Sequence, residues 1–325
     1  GDATYLYVDG AQYRYSRRHN ITRLAADRAN SNFSDDDADD EIKRRLHKAG
    51  AAGPFAAVHA CPDGPGDVTD DDDGVHLVLL PTTAYHVPNA DESPAVTMAR
   101  AILGQRSAGP RLNRNLLVFC AASEARLTEL RSGVRQYLAW RSVLDDANAE
   151  RLELIKADEA QANSKLAETD ETVNQRIAET YVHVIVPEQT PGTSEIRWHQ
   201  TRPSGAGSLP DRIAKKLESE ERLITRFGGT RVRMDLDRIP LWSERKDITV
   251  EKLWASYCQF PYLPRLANSE VLHLAISDGV SKLNWQQETF AYADGHDGSK
   301  WVGLRAGEHV SARPGGIVVH PEPAA

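Results

Sequence analysis

At 325 residues the chain exceeds the usual span of one hydrophobic core, which allows two domains or a single elaborated α/β domain. Apolar residues at 40% and charged residues at 26% are ordinary for a globular protein and exclude a mainly disordered chain. The net charge of -8 lies in residues 1–202, because residues 203–325 carry 16 Lys or Arg against 16 Asp or Glu; neither part has the basic excess of a dedicated nucleic-acid binder.

The chain opens with a predicted β-hairpin, Tyr5-Leu6-Tyr7-Val8 and Gln12-Tyr13-Arg14-Tyr15, turned by Asp9-Gly10. Asn20 is placed to cap a helix over residues 21–30. The acidic run at residues 35–41 is expected to form a solvated loop running into a helix over 42–48, its charge stabilising that helix start. Short apolar runs at residues 55–60, 75–80, 115–121 and 181–186 have the length of strands. Leu77-Val78-Leu79-Leu80 has no polar alternation, so a mainly parallel sheet covered by helices is expected. The loop holding Asp70-Asp71-Asp72-Asp73-Gly74 is expected to be another solvated turn.

Beyond Ser123, a helix cap, Leu127, Leu130, Val134, Tyr137, Leu138 and Leu144 keep the three-to-four spacing of one long helix. Leu152, Ile155, Ala162, Leu166, Val173 and Ile177 continue the pattern, giving a helical hairpin over 123–179 bent near residues 145–148. Such an arm can pack on its own domain or grip a partner. Residues 203–208 read as a Gly- and Ser-containing linker, dividing an α/β domain (1–202) from a smaller region (203–325). There, helices around Ile213, Leu217 and Leu223, at 249–258 and at 269–282 precede a hairpin at 289–304. That outline is winged-helix-like, with 269–282 as its recognition helix.

Catalytic signals are sparse. A nucleotide-hydrolysing P-loop needs backbone amides to cradle phosphate and a Lys to neutralise it, as GxxxxGK[ST], yet the sequence contains no Gly-Lys dipeptide. Gly298-Ser299-Lys300 is the nearest approach and falls in a predicted hairpin turn. His59, His76, His183 and His199 lack HxxxH or HExxH spacing. Cys61, Cys120 and Cys258 are too scattered for a disulfide framework or zinc site; Cys120, just before a helix, is the one candidate nucleophile. Arg14, Arg17, Arg18, Arg23 and Arg28, interleaved with Tyr13 and Tyr15, are candidate phosphate or partner contacts, as are Arg111 and Arg114. No run approaches the roughly 18 apolar residues of a membrane span, and the opening Gly1-Asp2-Ala3 has no signal-peptide character. A cytoplasmic segment of a longer protein, with no membrane partner, is expected.

Several stretches in fixed order carry a family resemblance over nearly the whole chain: Tyr13-Arg14-Tyr15-Ser16, residues 20–29, Arg114-Asn115-Leu116-Leu117-Val118-Phe119, and Val134-Arg135-Gln136-Tyr137-Leu138-Ala139-Trp140. Asp170-Glu171-Thr172-Val173-Asn174, Tyr262-Leu263-Pro264-Arg265-Leu266 and Glu288-Thr289-Phe290-Ala291-Tyr292-Ala293-Asp294 continue it. They resemble the large prokaryotic AAA+ type ATPases of domain-of-unknown-function family four-nine-nine. The resemblance implies a parent protein that uses ATP and magnesium in anti-phage defence, while this segment lies outside the P-loop core and holds no cofactor. It is then expected to be a non-catalytic interaction region whose partners are the parent's ATPase core and companion defence proteins, with DNA a second candidate. The alternative is a catalytic α/β domain, nuclease-like or nucleotide-binding.

Overall fold

The computed structural model describes residues 5–9, 12–16, 20–48, 53–88, 92–107 and 109–324. In chain order the elements are β1 (Tyr5–Asp9), β2 (Gln12–Ser16), α1 (Ile21–Ser31), α2 (Asp35–Lys48), β3 (Ala57–Ala60), β4 (His76–Leu79) and α3 (Pro94–Gly104). There follow β5 (Gln105–Arg106), β6 (Gly109–Pro110), β7 (Leu117–Ala122), α4 (Glu124–Asn148), α5 (Lys156–Thr180), β8 (Tyr181–Gln189) and β9 (Ile196–Thr201). The remainder comprises α6 (Leu209–Ser219), α7 (Gly229–Arg238), β10 (Asp247–Thr249), α8 (Val250–Gln259), α9 (Ser269–Val280), α10 (Trp285–Glu288), β11 (Ala291–Ala293), β12 (Gly295–His296), β13 (Trp301–Val302), β14 (Ile317–Val319) and α11 (Pro321–Ala324). The fold is mixed α/β, with a mainly parallel sheet, a long helix pair and a smaller region whose sheet is antiparallel.

Two compact units divide the chain: residues 1–48 with 122–182, and residues 49–121 with 183–325. The division falls outside residues 203–208. Contacts explain why, since Asn115 Nδ2 donates to the carbonyls of Tyr257 and Leu263, and Trp254 Nε1 donates to the carbonyl of Asp72. Residues on both sides of the linker therefore share one unit.

The first unit is built on α4 and α5, the helical pair that the apolar spacing predicts. Ile21 and Ala25 of α1 join Trp140, Val143, Leu144 and Ala162 in one buried cluster. Asn20 caps α1 as expected, accepting from the Arg23 amide at 3.1 Å. The expected acidic loop is instead helix: α2 begins at Asp35, seven residues early. Ser34 and Asp37 cap it reciprocally, since Asp37 accepts from the Ser34 amide at 2.8 Å and the Asp37 amide donates to Ser34 Oγ at 3.2 Å. Asp35, Asp36 and Asp37 sit in the first turn, where the helix dipole favours negative charge.

The same acids face arginines of α4. Asp39 receives two hydrogen bonds from Arg131, at 2.9 and 2.8 Å, and Asp35 pairs with Arg135, so an i, i+4 acidic row meets an i, i+4 basic row. Glu41, almost wholly buried, contacts Arg44, Arg45 and Arg141. Burial pushes its carboxyl up, but the hydrogen bonds from Arg44 and Arg45 outweigh that and hold it below the usual range.

In the second unit the sheet order is β3-β4-β7-β8-β9, with β3, β4 and β7 parallel and β9 antiparallel to β8. Every residue of β4 and β7 is buried, matching the unbroken apolar runs. Val78, Phe119 and Ile185 pack with Val96, Ala99 and Ile102 of α3. The loop at residues 70–74 exposes Asp71, Asp72 and Asp73 as expected, and Asp70 alone turns inward. Asp70 accepts from the amides of Leu112 and Asn113, at 2.9 and 3.0 Å, and its side chain is only 5% exposed beside Arg106 and Arg111.

After α6 come α7, β10, three helices (α8, α9 and the short α10) and four strands (β11 to β14), with β14 between β10 and β11 in a small antiparallel sheet and β12 paired with β13. Residues 232–236 lie within α7. α7 meets α9 at a glycine contact, where a Cβ added at Gly229 would stand 2.2 Å from the Gly279 Cα.

Leu130 of α4 is fully buried. Leu130→Ala is expected to cost roughly 2–5 kcal/mol in urea unfolding; a loss below about 0.5 kcal/mol, the range of ordinary surface changes, would show that this face of α4 is not packed.

Candidate functional site

A cleft of about 980 Å³ opens in the second unit. Its walls come from the approach to β7 (Asn115), the end of β8 (residues 187–189), the stretch from α6 into α7 (residues 218–231), Arg238 and the turn at residues 261–265. Pro261 and Pro264 create that turn because neither can continue α8 with a backbone donor.

Arg265 fixes the floor. Its guanidinium is buried and donates to the carbonyls of Asn115 at 2.5 Å, Pro187 at 2.9 Å and Arg222 at 3.2 Å. Burial lowers its pKa to about 10, which leaves it charged at neutral pH. Asn115, 1% exposed, is held from both ends: its carbonyl accepts from Arg265, and its Nδ2 donates to Tyr257 and Leu263 at 2.8 and 3.2 Å.

Charges on the rim differ in how far they are already used. Arg222 pairs with Glu188 at 2.5 Å. Glu220 accepts from Lys216, His199 and Thr201; burial pushes its carboxyl up, yet these bonds prevail and bring it to about 2. Arg238 pairs with Asp235 at 3.4 Å. Asp235 is buried and raised by desolvation, although Tyr257 donates to it at 3.0 Å. Among the described residues, the exposed side chains of Arg226 and Arg231 form no hydrogen bond or close ion pair, although the Arg231 charge acts on the buried Asp235.

The predicted contact arginines are not gathered into one site. Arg17 and Arg18 lie outside the described residues, and Arg14 falls in β2. Arg23 is exposed and pairs with Asp27 at 3.9 Å. Arg28 is committed to Asp146 at 2.7 Å and Ser142 at 2.9 Å, fastening α1 to α4. Arg111 points inward and donates to the carbonyls of Thr69, Val68 and Ile102 at 2.6, 2.8 and 2.7 Å, so it is a structural clamp and cannot form a contact surface. Arg114 is half-buried in a short 3-10 turn before β7.

Cys120 is fully buried and burial pushes its thiol to about 12, which removes the thiolate a nucleophile requires. His59 and His76 are linked at 3.0 Å and His76 reaches Asp73 at 2.8 Å, but burial and the neighbouring His76 bring His59 down to about 4. Among the described residues, no group of three or more His, Cys, Asp or Glu side chains is placed to hold a metal ion. Gly298-Ser299-Lys300 does not suit a nucleotide phosphate. The amides of Ser299 and Lys300 already donate to Asp297 Oδ1, each at 2.9 Å, and the segment turns between β12 and β13 with no helix start.

No protein family, curated protein or solved structure matches the chain. The functional reading therefore rests on residues. Sequence reasoning missed this cleft because its walls come from widely separated stretches; the local signal was the spacing of Arg222, Arg226, Arg231 and Arg238.

Glu220 gives a pH test. Its folded pKa lies below the ordinary 4.5, so its stabilising effect is full above about 4.5 and disappears as pH falls towards about 2. The stability difference between wild type and Glu220→Gln, measured by urea titration, is expected to be largest near pH 6 and to shrink steadily below pH 4.5. A difference independent of pH would contradict the charged hydrogen-bonded role.

Proposed function

We propose that the chain is a non-catalytic interaction region of a large AAA+ type ATPase serving anti-phage defence, and that it acts by binding protein. The resemblance described above supports the parent and its defence role; ATP and magnesium belong to that parent's core and not to this segment. The order α7, β10, α8, α9, α10, β11, β12, β13, β14, with β14 central in its sheet, supports a winged-helix-like reading of residues 203–325, in which residues 269–282 are the recognition helix and the hairpin at 289–304 the wing.

The exposed face of α9 carries the choice of partner. Leu274 is 60% exposed there, Glu270 and Asp278 flank it, and Lys282, just beyond the helix, is already paired with Asp278 at 3.0 Å. DNA binding draws its affinity from cations placed against phosphates, and this face offers none that is unpaired. An exposed leucine bordered by acids suits a protein surface with a complementary apolar and basic patch.

Fluorescence anisotropy of the full chain with duplex DNA tests the choice. Weak binding that vanishes towards physiological salt is expected. Sequence-specific binding that persists there, and that Leu274→Ala or Lys282→Ala weakens, would overturn the preference for protein.

A further inference from the structure

The cleft held by Arg265 contains polar atoms that the fold buries and leaves unused. Asn115 Oδ1, Gln189 Oε1 and Arg222 Nε are each buried without a hydrogen-bond partner, and all three residues line it. Buried polar atoms are ordinarily paired, since leaving one unpaired is costly. The amide orientations are fixed by neighbours. Asn115 Nδ2 faces two carbonyls and Gln189 Nε2 faces the carbonyl of Thr193 at 2.5 Å, so exchanging O and N would set acceptor against acceptor. The acceptors are therefore preorganised, and Asn115 is held by Arg265, Tyr257 and Leu263.

We propose that this cleft binds an extended polypeptide segment carrying an acidic residue. Glu188 Oε1, also buried in the wall, is met by the Arg222 guanidinium, so the atoms left unused are two acceptors and one donor. A fully ionised oxyanion offers acceptors only and meets the donor alone, whereas a peptide backbone presents N–H and C=O groups in alternation and satisfies both kinds. Its amides donate to Asn115 Oδ1 and Gln189 Oε1, and a carbonyl accepts from Arg222 Nε. Arg226 and Arg231, both exposed on the rim, take the acidic side chain. Glu218 and Glu221 on the same rim disfavour a uniformly acidic sequence, so the segment is of mixed charge. This surface is distinct from the exposed face of α9, and the inference does not require that reading.

A phage-displayed random heptapeptide library selected against the full chain tests it, with selected peptides synthesised, labelled and titrated by anisotropy. Enrichment of Asp or Glu at one fixed position is expected. Arg226→Glu should weaken the selected peptides about tenfold or more while leaving the melting temperature unchanged, because the exposed Arg226 side chain makes no hydrogen bond or ion pair among the described residues. Gln189→Ala should weaken them independently of salt, and millimolar pyrophosphate should not displace them. No enrichment, affinity indifferent to the arginine and glutamine variants, or full displacement by pyrophosphate would each overturn the proposal; the last would make the cleft a small-anion site.

Discussion

A buried guanidinium must find acceptors inside the protein, and Arg265 finds three backbone carbonyls from separate stretches of chain. Each carbonyl left unpaired in a dry interior costs roughly 1–3 kcal/mol, so the bond set stands or falls together. One carbonyl precedes β7, one lies in β8 and one follows α6. The side chain itself comes from the turn after α8. Sheet and C-terminal helices are thereby held in one unit, and the path of residues 203–208 matters little to its integrity.

The same clamp shapes the cleft. Arg265 occupies the carbonyl of Asn115 while Tyr257 and Leu263 occupy its Nδ2, which leaves Oδ1 as the only free polar atom of a rigid side chain. Arg111 uses the same device elsewhere in the unit, and the first unit uses another. There α2 and α4 present opposed rows of Asp and Arg, with Glu41 buried among three guanidiniums. A buried carboxylate in such a cluster contributes specificity of docking more surely than net stability. Arg111 and Arg265 are thereby taken into the interior, and Arg131 and Arg135 are taken up by acids, so none of the four is free for a phosphate.

Periodicity made the long elements readable. α4 and α5 follow from apolar residues at three-to-four spacing, and β4 and β7 from runs with no polar break. Short elements were illegible for physical reasons: β10 and β14 hold three residues each, too few for any period, and β9 alternates only partly because one of its faces is open. α3 went unnoticed although Ser93 and Pro94 mark its start. The start of α2 was misplaced because Asp and Ser suit loops and helix caps equally, and the decision rests on arginines 92 or more residues away. Arg265 was visible within a resembling motif, but nothing local told that it turns inward.

Hydrogen–deuterium exchange on the full chain carrying Arg265→Met tests most directly whether this one buried guanidinium holds the cleft. The account predicts faster exchange in residues 187–189, 222–226 and 257–263, with no change in α4 and α5, which belong to the other unit. Unaltered protection around the cleft, or loss spread evenly over the whole chain, would contradict it.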